Sequence, residues 1–221
     1  MKSEEILKLC STPIASPSFP AGPYRFVNRE FLAITYETDP GLLRQHMPEP
    51  LEMLDNPRVI YEWIKMPDSS GFGDYTESGV VIPCRFKGED VSFVSQMYLD
   101  DEAPIAAGRE IWGFPKKYAH PKLELVKDTL TGTLTYAGQL VAMGTMTYKH
   151  EGQAGDVACT HKALEKTQIN LKIIPGAPVA DLPVHKIIGA SHFIADLTLP
   201  YGRVVHDYKA AARADLALAA E

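Results

Sequence analysis

Two adjacent lysines, Lys116 and Lys117, close the run Gly108-Arg109-Glu110-Ile111-Trp112-Gly113-Phe114-Pro115. A lysine on a solvated loop ordinarily has charged or small polar neighbours. Here the residues just upstream are large and apolar, which points to a partly dry site. The chemistry open to such a lysine is attack on a ketone, and an amine attacks only in its neutral form. An ordinary lysine has a pKa of about 10.4, so neutrality at pH 7 costs roughly 4–5 kcal/mol. Burial disfavours the ammonium, and a nearby cation acts in the same sense. If Pro115 to Lys117 is extended, successive side chains point to opposite faces. Lys117 then points away from Lys116, and desolvation rather than the Lys117 charge is expected to be the main activating influence. A lysine pair in a solvated turn is the plain alternative.

Other chemistries find less support. The seven histidines, His46, His120, His150, His161, His185, His192 and His206, form no HxxxH or HxH pair, so no zinc site is expected. There is no GxSxG elbow for serine catalysis, and no GxGxxG or P-loop for a nucleotide. Cys10, Cys84 and Cys159 are far apart and odd in number, which gives neither a CxxC pair nor a disulfide framework. A net charge of −6 gives no electrostatic reason to bind nucleic acid. An acidic chain that uses an anionic substrate instead needs a local cation in apolar company. No stretch approaches the length of a membrane span. Residues 1–20 carry acids and prolines rather than a signal-peptide core, so a cytoplasmic location is expected.

The elements that would position these residues are mostly strands. Glu30–Glu37, Val59–Ile64, Gly79–Phe86, Val91–Leu99, Thr131–Tyr136 and Gln139–Tyr148 are rich in β-branched and aromatic residues and bounded by Gly, Pro or Asp. Later strands are expected at Leu171–Ile174, Lys186–Gly189 and Phe193–Leu199. Tyr136-Ala137-Gly138-Gln139 reads as a hairpin turn. Short helices are expected at Ser3–Cys10, after an Asp39 cap with Pro40 at the first position, and at Asp101–Arg109, where Pro104 limits the length. The Ala-rich tail from Lys209 reads as helical. Many strands and few helices imply a β-rich α+β fold in one domain over residues 1–221. A closed or half-closed antiparallel β-barrel with a few short flanking helices would hide the strand edges.

The run GREIWGFPKK closely resembles the active-site segment of the acetoacetate decarboxylase family. STPIASPSFPAGPYRFVNRE at 11–30, YTESG at 75–79, MYLDDEAPIAAGRE at 97–110 and LPVHKIIGASHFIADLTLP at 182–200 resemble that family in the same order. The resemblance implies that Lys116 is the Schiff-base residue and Lys117 the lysine associated with tuning it. Activation of a lysine by its surroundings is a route that this family itself exemplifies. Arg29 in NRE, Glu62 in YEW and Glu77 in YTESG fall at family active-site positions. Val27, Met97 and Phe114 fall at positions lining the pocket, Phe114 where some members carry Tyr. The implied activity is cofactor-independent decarboxylation of acetoacetate or a close β-keto acid, with no metal. The implied assembly is a homo-oligomer, a dodecamer in the family's examples. Relative to the family, the stretch between LKIIP and LPV, near residues 175–182, is shortened.

Two other readings remain open at this point. One is a different Schiff-base reaction on an oxo acid, of aldolase or dehydratase type, served by the same lysine. The other is a non-catalytic barrel that binds a small molecule or serves as a structural subunit. If desolvation is the main activating influence, an apolar-to-polar change at Phe114 shifts the pH–rate profile of turnover further than Lys117→Gln does. The reverse order, read from profiles of both variants, would show that the second cation dominates.

Overall fold

The computed structural model describes residues 2–6, 8–147, 166–175 and 185–189. Among the described residues there are three helices: α1 (Ser3–Ile6), α2 (Pro40–Gln45) and α3 (Glu102–Ala107), the last running into a π-helical turn at Gly108–Trp112. The strands are β1 (Phe26–Val27), β2 (Glu30–Glu37), β3 (Glu52–Met53), β4 (Arg58–Ser69), β5 (Gly73–Phe86), β6 (Glu89–Leu99), β7 (Lys116–Tyr118) and β8 (His120–Val126). They continue with β9 (Thr129–Tyr136), β10 (Gln139–Thr147), β11 (Gln168–Ile169), β12 (Lys172–Pro175) and β13 (His185–Gly189).

The strands of the described residues form one sheet of eight, one of three (β10-β9-β8) and one of two (β12-β13). The long strands β4, β5 and β6 form the middle of the large sheet, paired antiparallel throughout. β2 lies against β4, and β7 and β11 both run parallel to β6, at different places along it. In β5, Tyr75 to Gly79 are buried without a break, the pattern of a strand covered on both faces. One face carries Ile64, Met66, Tyr75, Val94, Met97 and Leu99, packed with Phe19 and Ala107. On the other face, Leu32 and Trp63 pack with Leu123 and Leu130 of the three-stranded sheet. Further along β5 and β6, Ile82, Cys84, Phe86 and Phe93 pack with Leu43 and Met47 around α2.

Local chemistry explains the short elements. The Asp39 side chain accepts from Leu42 N and Pro40 opens α2, the expected cap. Asp101 caps α3 through Ala103 N. Ala137 and Gly138 both have positive φ, the requirement of the tight hairpin turn between β9 and β10.

Several expectations need correction. The first helix ends at Ile6 rather than Cys10, and α3 gives way to the π-turn before Arg109. β4 and β5 are longer than their apolar runs, because their polar ends still pair, Asp68 with Val27 and Ser69 with Gly73. The strand β8 went unrecognised in the sequence because Pro121 and the charges Lys122 and Glu124 mask its alternating Leu123 and Leu125. Among the described residues no sheet closes on itself, and β8 opens a separate sheet rather than extending the large one. The expected strand Phe193–Leu199, the helix from Lys209, Tyr148, the LPV motif and most of 175–182 lie outside the described residues.

No described helix is long and apolar enough to cross a membrane. Glycine at 144 lets the three-stranded sheet close on the indole, since a Cβ there would stand 2.8 Å from Trp63 Cζ3 and 2.6 Å from Ile34 Cδ1. Gly144→Ala is therefore expected to destabilise the fold by about 1–3 kcal/mol in denaturant melts, and Trp63→Phe in the same chain is expected to recover part of that loss.

Candidate active site

The register of the large sheet sets Ala33, Glu62, Gly79, Met97 and Lys116 side by side across five strands. Side chains in register share a face. Glu62, Met97 and Lys116 therefore project together, with glycine at 79 leaving open the place between Glu62 and Met97. Glu77 is two residues along β5 from Gly79 and so lies on the same face. Lys116 Nζ reaches Glu77 Oε2 at 3.4 Å. Lys116 is 8% exposed and Glu77 is 6% exposed. The Phe114 ring centroid stands 5.5 Å from the amine.

The lysine is aimed by an unusual piece of backbone. After the π-turn, Gly113 adopts a left-handed conformation (φ +71°, ψ +19°), which a residue without Cβ takes at little cost. Phe114 N donates to Gly108 O at 3.0 Å and Lys116 N to Phe114 O at 2.8 Å. Arg109 Nη1 donates to Lys116 O at 3.0 Å. A Cβ on residue 108 would stand 2.5 Å from Lys116 Cδ and 2.7 Å from Cε. Gly108 is thus the slot in which the lysine stem lies.

Glu62 is half-buried. Burial, with the Glu77 carboxylate adding to it, pushes the Glu62 carboxyl up to about 7. A charge so placed is costly to desolvate, and neutralisation is the cheaper outcome.

The structure brings together Lys116, Glu77, Glu62, Met97 and Phe114. Arg29 is half-buried at the rim, its guanidinium carbon 5.6 Å from the Phe26 ring centroid and 5.3 Å from that of Phe31. Phe31 pairs with Ile64, itself paired with Glu77, which puts Arg29 beside the same face. Val27 pairs with Asp68, six residues along β4 from Glu62. Lys117 pairs with Tyr98 and points to the opposite face, exposed, its Nζ 4.3 Å from the Tyr136 ring centroid. A hydrogen bond with Tyr136 raises the Lys117 pKa.

Gly79 and Gly108 were not legible as site residues. A glycine eight positions before a lysine announces no contact, and only the π-turn and the following reversal bring the two together. An open hollow of about 560 Å³ is lined by Ser18, Asp100, Asp101, Glu102, Ala103 and Tyr118. It does not border the amine, and its three carboxylates would repel a keto-acid anion. Among the described residues no group of three or more His, Cys, Asp or Glu is arranged to hold a metal ion.

Because the Glu62 carboxyl is raised from 4.5 to about 7, the folded state holds its proton more tightly than the unfolded chain. The associated stability is fully present below about pH 4.5 and is lost as pH rises through 7. Glu62→Gln is therefore expected to unfold at higher denaturant than the parent at pH 8, with the gap closing at pH 4.5. An unchanged gap across that range would place the Glu62 charge in solvent.

Known proteins supply the remaining context. A family model described as acetoacetate decarboxylase matches residues 11–178. A protein named acetoacetate decarboxylase from Acidiphilium cryptum is 48% identical over 235 aligned positions, covering 90% of this chain and 95% of its own. One of the same name from Paraburkholderia phytofirmans is 49% identical, covering 89% and 91%. Among solved structures, the acetoacetate decarboxylase from Legionella pneumophila superposes with a TM-score of 0.71 at 50% identity, covering 78% of this chain and 68% of its own. The enduracididine biosynthesis enzyme MppR shares the fold at 15% identity, with a TM-score of 0.60 and coverage of 76% and 72%. With the family model spanning most of its length and relatives near half identical, this chain belongs to the acetoacetate decarboxylase family.

Proposed function

We propose that this protein decarboxylates acetoacetate, or a close β-keto acid, through a Schiff base at Lys116. The observation that carries the reading is a buried amine held 3.4 Å from a buried carboxylate on a face lined by Met97 and Phe114, in a chain with decarboxylase relatives near 48% identity.

The neutral Lys116 amine attacks the ketone carbon, a C–N bond forms, and water leaves as a neighbouring carboxylic acid gives up a proton, so that a protonated imine results. The bond between the α-carbon and the carboxylate then breaks. Its electron pair moves toward the imine nitrogen, carbon dioxide departs, and an enamine remains. The enamine carbon takes a proton, water adds to the resulting imine, and the ketone leaves as the amine is restored. From acetoacetate the ketone is acetone. The imine is itself the electron sink, so the reaction requires neither a metal nor an organic cofactor.

Roles follow from placement. Glu77 is within reach to take a proton from the amine and return it. Glu62, whose carboxyl titrates near neutrality, is suited to hold the proton that the enamine carbon receives. Arg29 at the rim attracts the incoming carboxylate. Met97, Phe114 and the more distant Val27 give the apolar wall. Lys117, on the opposite face, is left with at most an indirect influence.

The larger organisation belongs to the same proposal. We assign residues 1–221 to one domain in the cytoplasm, assembled as a homo-oligomer, with the dodecamer as the family expectation. A half-closed barrel is the favoured architecture, supported by the three-stranded sheet packing over Trp63. A stretch shortened near 175–182 belongs to the same proposal; an alignment of 235 positions, longer than the 221 residues of this chain, opens gaps of the kind it requires.

Incubation with acetoacetate and borohydride, followed by peptide mapping, is expected to place a reduced adduct on Lys116, and the untreated protein is expected to release acetone. Lys116→Ala is expected to lose turnover and keep its fold. An adduct without carbon dioxide release would favour aldolase-like chemistry, and no adduct would favour a binding or structural role.

A further inference from the structure

We infer that Asn170 and Lys172 are positioning residues for Lys116, acting through the turn that carries it. The inference rests on the reading of Lys116 as the nucleophile. The two residues lie on a segment that the family motifs leave without a role.

β11 and β7 share β6 as a parallel neighbour. β11 pairs at Ser92 and Phe93, and β7 at Met97 to Leu99. The chain leaving β11 thus runs toward the turn that delivers Lys116. In an extended segment alternate residues face opposite ways. Ile169 is buried in the α2 core, with Leu171 packed against that cluster. Asn170 and Lys172 face the turn instead.

Both residues bind backbone carbonyls of the turn. Asn170, 0% exposed, donates from Nδ2 to Trp112 O at 3.3 Å. Lys172 Nζ donates to Glu110 O. Carbonyls near the end of a helical turn lack partners within the helix, and the left-handed Gly113 ends this one. The side chains from 170 and 172 supply donors from outside. The stems also pack against the turn, since a Cβ on residue 113 would stand 2.7 Å from Lys172 Cβ and 3.3 Å from its Cα. The brace and the turn therefore meet through side-chain bonds to backbone carbonyls and through a contact that only glycine permits.

The consequence is geometric. Lys116 follows Gly113 by three residues and sits in the Gly108 slot. Removing the donors to Glu110 O and Trp112 O loosens the turn and lets both the slot and the lysine shift. A displacement near 1 Å can cost about a hundredfold in rate, so a partial loosening is expected to cost about tenfold.

The test uses Lys172→Met, Lys172→Arg and Asn170→Asp in the full chain. The Met variant removes the donor and the Arg variant restores one. The Asp variant keeps the shape and removes the amide donor. Each is assayed for kcat and KM on acetoacetate, for thermal midpoint, and for the rate at which an activated aryl ester acylates Lys116, mapped by mass. Lys172→Met and Asn170→Asp are expected to lower kcat and Lys116 acylation together by about tenfold, with KM little changed and the melt retained. Lys172→Arg is expected to recover most of the loss. Parent-like kcat and acylation in both donor-removing variants would overturn the proposal. So would a loss that tracks unfolding and is not recovered by Lys172→Arg. If the parent releases no acetone while Lys172→Met still slows acylation of Lys116, the positioning role stands and the decarboxylase reading fails.

Discussion

The site depends on one dry contact, the 3.4 Å approach of Lys116 Nζ to Glu77 Oε2. Neither group could be buried alone, because an isolated charge in a low-dielectric interior is strongly disfavoured. Together they satisfy each other. Such pairs add little net stability, because desolvation offsets most of the attraction. The arrangement is better understood as a means of keeping the Lys116 amine away from water.

What holds this contact is sheet register together with the turn before β7. Sheet register fixes Glu77 on β5 and Lys116 on β7 with β6 between them. The pairing of Met97 with both Gly79 and Lys116 sets the lateral order of the site. A one-residue slip in β7 would turn Lys116 out and bring Lys117 in. The short parallel pairing of three residues could not resist such a slip unaided. The preceding turn does so, through the Arg109 bond to Lys116 O and the Gly108 slot. Lys116 is thus specified by its strand and by a turn folded back beneath it.

How much of this was legible in the sequence differs by residue. The main strands were visible because their apolar and β-branched runs are long and cleanly bounded. Lys116 stood out because Trp112, Phe114 and Pro115 are unusual company for an amine. Glu62, Glu77, Arg29, Met97 and Val27 were reached through family motifs, since nothing in their local spacing distinguishes them from ordinary strand residues. β8 was missed because its charged outward positions and Pro121 outweighed two leucines. Gly79, Gly108 and Asn170 were invisible because their roles come from contacts across strands or across a turn. A sequence reports local preference, whereas these residues matter for what they leave empty or what they reach.

The two lysines show how strongly placement outweighs adjacency. Lys116 and Lys117 are neighbours in the chain, yet the extended backbone sends one inward beside Glu77 and the other outward over Tyr136. The hydrogen bond with Tyr136 favours the charged form of Lys117, which therefore keeps its proton at neutral pH. Its charge is exposed, and water screens an exposed charge far more than a buried one. Within the face that Lys116 occupies, its ion-pair partner is the Glu77 carboxylate, 3.4 Å away, and the Phe114 ring stands 5.5 Å from the amine. On the same face burial and the Glu77 carboxylate raise the Glu62 carboxyl to about 7. One face thus joins an amine held in an ion pair to a carboxyl that burial keeps from giving up its proton readily.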